Sequence, residues 1–166
     1  MSQETSLLFT DMVAAAEEYC RLIDSVEKFS REKWLHSMSS LLPRLHAAIS
    51  VLDVELKSRE HTIDSDYDER FALFSHLYMM LGERDGYWME FDTANDGQRL
   101  SGSLADDFTD IYFDLKHGLE MLQEQPSAGE KAVSDWRYSF DKHWGQHLVD
   151  AERQLYHLSA QQQLDH

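Results

Sequence analysis

Cysteine, proline, glycine and basic residues are all scarce in this 166-residue chain, and each shortage excludes something. A single cysteine, Cys20, leaves no intrachain disulfide to form. Its helical spacing with Met12, Ala16 and Ile23 marks a packed thiol in a reducing compartment. Seven glycines and two prolines are too few for the turns of an all-β fold, which points to helices. Lysine and arginine together number 15 against 31 acidic residues, for a formal net charge of −16. Contact with a phosphate backbone needs a basic face, so no nucleic-acid partner is expected. No stretch approaches the roughly 18 apolar residues of a membrane span, and the N-terminus has neither the basic region nor the long apolar run of a signal peptide. No membrane association and a cytoplasmic location are therefore expected.

What is present is 42% apolar and 11% aromatic, enough for a folded core, and the length suits one helical domain over residues 1–166. Apolar residues recur at helical spacing in five segments, with no convincing run of period-two alternation. The pattern predicts helices over about residues 4–28, 31–57, 66–81, 103–125 and 128–160, with an irregular loop over 82–102. Ser30, Ser65, Ser103 and Ser127 stand where helices begin, the last three with an acid three residues on as a capping box. Gly82 is placed to end the third helix in a left-handed conformation, and Pro43 to kink the second. The expected fold is all-α, an antiparallel bundle of about five helices, monomeric or homodimeric.

The chemistry concentrates in two helices. In "WRYSFDKHWGQHLVD", residues 136–150, two histidines lie four apart. A wheel of about 100° per residue puts Phe140, Trp144, Leu148 and Leu155 on the core face, with Arg137 and His147 among them and His143 on the edge. On the fourth helix Asp107, Asp110 and Asp114 border the buried stripe. Three carboxylates at spacings of three and four repel one another, so something cationic should answer them. Arg137 reaching across from the fifth helix is one answer, a structural clamp. A divalent metal on Asp110, Asp114, His143 and His147 is another, because bundles build such sites from helix-borne acids and histidines one turn apart. A third is a metal-free pocket in which Arg137 and the histidines hold a ligand, with Tyr112, Trp136 and Trp144 as walls. "DGYWMEFD" adds Glu90 and Asp92, which either sit in solvent while the aromatics cap the bundle or reach the site from a lid.

Two stretches, "GSLADDFTDIYFDLKHGL" (102–119) and "AVSDWRYSFDKHWGQHLVDAERQLYHL" (132–158), resemble the uncharacterised bacterial proteins grouped as domain of unknown function 5063, and "LGERDGYWMEFD" is similar to the loop preceding the first. The resemblance implies a compact helical protein of bacteria and brings no catalytic residue list. It also implies an arginine at 146, where this chain has Gln146.

Two functions fit this reading. The leading one is a non-enzymatic binding or regulatory module using the cleft between the fourth and fifth helices for a protein or small ligand, with no cofactor. The alternative is a metal-dependent enzyme of hydrolase type, with a divalent metal on the Asp and His set and Glu90 or Asp92 as base.

Overall fold

Residues 3–53, 67–90 and 99–164 are described by a computed structural model. Among them the protein is an all-α bundle of five helices. Helix α1 (Gln3–Asp24) and α2 (Arg31–Ser50) form the first pair, followed by α3 (Tyr67–Leu81) and α4 (Leu104–Glu124). The fifth helix is compound: α5 (Gly129–Ser139) runs through a π-helical turn (Phe140–Trp144) into α6 (Gly145–Ala160). No helix among the described residues is long and apolar enough to cross a membrane.

Helix starts follow local chemistry. Ser30 accepts from the Lys33 amide and Ser103 from the Asp106 amide, satisfying one orphan donor at each N-terminus. Gly82 has φ +57°, as its place after Leu81 requires. Ser127 does not cap. It lies inside a short turn, and α5 begins two residues later at Gly129 with no side-chain cap. Pro43 sits inside α2, which continues as one helix from Arg31 to Ser50. Ser65 and residues 54–57 lie outside the described residues.

The segment expected to be irregular carries a two-stranded antiparallel ribbon. Strands β1 (Gly86–Glu90) and β2 (Arg99–Ser103) pair with Tyr87 opposite Gly102 and Trp88 opposite Ser101. Tyr87 is buried while Trp88 is exposed, so one face of the ribbon packs down and the other meets solvent. Buried Asp85 ties the ribbon to α4, its carboxylate accepting from the Ala105 amide at 2.7 Å and the Ser103 hydroxyl at 3.0 Å.

Helix α4 is the hub, packing against α1, α3, α5 and α6. Phe108 on its buried side meets Trp34 edge-on at 5.3 Å, and the Tyr19 hydroxyl donates to the Phe108 carbonyl at 2.9 Å. Trp136 and Trp144 are both fully buried. Buried positions in the compound helix run Ala132, Val133, Asp135, Trp136 and Ser139, then resume at Trp144, Gly145, Leu148, Ala151, Leu155 and Leu158. The step of five between Ser139 and Trp144 is one residue too long for an α-helical stripe, and the π turn absorbs it. A single added residue turns α5 relative to α6 by about 100°.

Candidate metal centre

Asp107, Asp110 and Asp114 lie on the side of α4 that meets α6 and the π turn. Their side chains are 5%, 15% and 0% exposed, so solvent does little to relieve their repulsion. The histidines answer them. His143 Nδ1 is 2.7 Å from Asp114 Oδ2, and His147 Nδ1 is 2.8 Å from Asp107 Oδ1. The opposite ring nitrogens converge on one atom, with His147 Nε2 at 3.0 Å and His143 Nε2 at 3.6 Å from Asp110 Oδ2. Asp110 Oδ1 accepts from the Arg70 guanidinium of α3, which lies over the Phe113 ring at 5.0 Å. The Tyr87 hydroxyl donates to Asp107 Oδ2 at 2.6 Å, closing the network from the ribbon.

This arrangement assigns distinct jobs to the two ends of each imidazole. An Nδ1–H donated to a buried carboxylate fixes ring orientation and leaves Nε2 directed at Asp110, the pattern by which proteins prepare histidine as a ligand. One donor atom from each of Asp110, His143 and His147 lies within 4.8 Å of the others. Ligands about 2.0–2.1 Å from a tetrahedral ion stand about 3.4 Å apart, and the two separations from Asp110 Oδ2, 3.0 and 3.6 Å, lie close to that spacing.

The electrostatics point the same way. Burial drives the Asp107 pKa up, against the lowering influence of its bonds from His147 and Tyr87. Burial alone would depress His147, but the Asp107 hydrogen bond and charge overcome it, and the imidazole titrates above its ordinary 6.5. The two shifts have different causes, burial for Asp107 and the neighbouring carboxylates for His147, and protonation at either one reduces the buried negative charge. With Arg70 offsetting one of the three carboxylates, that excess is about two charges, which two imidazolium ions or one divalent cation would balance.

Several residues are not where the spacing put them. Arg137 does not reach the aspartates. Its guanidinium pairs with Asp141 at 3.2 Å, donates to the Ile49 carbonyl at 3.3 Å and lies over the Phe140 ring at 5.3 Å. The cause is the π turn, which rotates α5 away from the direction a uniform wheel gives it. Asp114 is behind His143, holding its Nδ1, and is not beside the other three donors. Tyr112 points to α1, where its hydroxyl donates to Asp24 at 2.7 Å. Trp144 is core, its indole N–H shared between the Trp136 carbonyl and the Ser139 hydroxyl. Trp136 is core as well, its indole donating to the Leu115 carbonyl. Glu90 ends β1, and Asp92 lies outside the described residues.

A family model described as "Domain of unknown function (DUF5063)" matches residues 3–161. The chain belongs to this family. It is a bacterial domain family with no assigned activity. A similar solved structure is that of protein BF1032 from Bacteroides fragilis, with a TM-score of 0.72 over 89% of both chains at 21% identity. That identity carries the fold alone. No curated protein matches the chain.

Two groups of this family member's site went unread in the sequence. Arg70 is one of only three basic residues between Glu60 and Asp114, a run with 14 acids, and that scarcity was a signal that each has an acid to serve. Tyr87 was visible only as an aromatic in the segment before α4. Nothing in its spacing announces a hydroxyl 2.6 Å from Asp107.

Proposed function

We propose that this protein is a metal-dependent enzyme of hydrolase type, holding one divalent cation on Asp110, His143 and His147. The observation that carries the reading is the orientation of the histidines: each gives Nδ1 to a buried aspartate and turns Nε2 toward the same oxygen of Asp110. Three protein donors are characteristic of sites that keep a position for water or substrate, whereas structural sites close with four. A bound ion would supply Lewis acidity and a water acidic enough to ionise near neutral pH.

The remaining roles belong to the chain. Asp107 and Asp114 hold the imidazoles in the ligating tautomer, and Tyr87 fixes Asp107. Arg70 occupies Oδ1 of Asp110 and so reserves Oδ2 for the centre. The non-enzymatic binding module draws less support. In its pocket form Arg137 would hold the ligand together with the histidines, and Arg137 is engaged by Asp141 and Ile49 instead.

The test is metal content of protein purified without an affinity tag, equilibrated with zinc or manganese and freed of excess ion. The expected outcome is about one ion per chain in wild type and loss of that ion in His147→Ala with helical content retained. Wild-type protein that emerges without metal contradicts the proposal.

A further inference from the structure

We propose that Gly102 is a positioning residue of the metal centre: the side chain missing at 102 lets the phenol end of Tyr87 cross the ribbon and hold Asp107 behind His147. The role rests on the metal reading and extends control of the site to the ribbon. Gly102 stands opposite Tyr87 in the antiparallel register. A Cβ on Gly102 would lie 2.2 Å from Cζ of the Tyr87 ring, 2.3 Å from Cε2 and 2.6 Å from the hydroxyl oxygen. The far end of the ring therefore occupies the space a methyl group would fill, the kind of close approach for which strands use glycine. The same hydroxyl donates to Asp107 Oδ2 at 2.6 Å, and the other oxygen of that carboxylate meets His147 Nδ1 at 2.8 Å. One cross-strand pair is thus linked through Asp107 to the ring of a ligand.

A side chain at 102 would displace whichever neighbour is less firmly held. The ribbon backbone is tied down beside it, because the Leu104 amide donates to the Asp85 carbonyl at 3.0 Å and the Ser103 hydroxyl to the Asp85 carboxylate at 3.0 Å. The Tyr87 ring is the freer partner, since it turns about its own torsions. Carbon atoms in contact stand about 3.5–4.0 Å apart, so the ring would move by more than about 1 Å and its hydroxyl would leave bonding range of Asp107. A carboxylate held at one oxygen only turns readily about its broad terminal torsion. Asp107 would then hold His147 Nδ1 less firmly, and Nε2 would lose part of its aim at Asp110. Arg153, on the same helix as His147, lies over the Tyr87 ring at 5.9 Å and donates to the Trp88 carbonyl at 3.4 Å. The ribbon is therefore also fastened to the helix that carries the ligand.

The experiment measures zinc affinity by chelator competition and stability by urea midpoint on full-length wild type, Gly102→Ala, Tyr87→Phe and the double variant. Tyr87→Phe keeps the ring, and so keeps the clash with a Cβ at 102, but has no hydroxyl to lose. Gly102→Ala and Tyr87→Phe should each weaken zinc binding about three- to tenfold, less than the roughly 10–100-fold of a direct outer partner because Tyr87 acts one bond further out. Added to Tyr87→Phe, Gly102→Ala should lower the urea midpoint again while changing zinc affinity by less than about twofold. A glycine with a merely structural role would not separate stability from affinity in this way. Wild-type affinity in Tyr87→Phe or in Gly102→Ala, affinity losses that add in the double variant, or a Gly102→Ala chain without helical circular dichroism overturns the inference and leaves the metal centre standing. Wild-type protein that takes up no zinc overturns both.

Discussion

At the scale of single residues, the centre depends on groups that would never touch the metal. Asp107→Asn keeps the shape of the side chain but replaces a charged acceptor by an amide, weakening the hold on His147 Nδ1. Loss of a comparable outer partner lowers metal affinity about 10–100-fold, and competition with a chromophoric chelator should read a drop in that range. An unchanged affinity would mean that the His147 and Asp107 contact is structural only. Protonation gives a second handle. In metal-free protein the His147 pKa lies above 6.5, so the contribution of His147 to stability is fully present below 6.5 and is lost as pH rises through the folded value. A metal must displace that imidazole proton, so its uptake should strengthen over the same rise. Urea midpoints measured against pH should therefore fall for the metal-free form relative to the zinc-loaded form. Parallel curves would argue against a shared site on His147.

At the scale of elements, the π turn sets the register of the compound helix. Gly145 lies just after it, and a Cβ there would sit 2.4 Å from the Phe140 carbonyl oxygen and 3.1 Å from its ring. Gly145→Ala should therefore force the wide turn to shift and carry His143 away from Asp114. The expected result is at least about a tenfold loss of metal affinity, read by the same chelator competition, with far-ultraviolet helicity largely kept. Wild-type affinity in that variant would show that the turn does not position the ligands. The same turn explains what the sequence could and could not tell. Five helices were legible because 3.6-residue periodicity is a strong local signal, seen in Trp34, Met38, Leu41, Leu45 and Ile49 of α2. Arg137 was misplaced because a wheel of constant pitch cannot contain a step of five, although Ser139 and Trp144 flank one. The ribbon escaped notice because its strands are five residues long, too short for alternation in "GYWME" to stand out. Asp110, His143 and His147 were legible as a cluster on facing helices. Arg70 was not, since it comes from 40 residues earlier on a helix whose direction toward α4 no local pattern specifies.

At the scale of the whole molecule, α4 is both the packing hub and the carrier of the three carboxylates, so the site is built on the helix with the most neighbours. Such a frame holds ligands within the tolerance that metal chemistry needs. The bundle, shared with the Bacteroides fragilis protein at 21% identity, supplies this frame and does not itself specify an activity. A chain with net charge −16 also favours cations over anions in general. The central claim is that Asp110, His143 and His147 together bind one ion. X-ray absorption at the zinc edge of stoichiometrically loaded wild-type protein tests it most directly. The account predicts a first shell of two imidazole nitrogens and one or two oxygens at about 2.0–2.2 Å, with one imidazole lost in His143→Ala. A first shell of oxygens alone, or one unchanged in that variant, would contradict it.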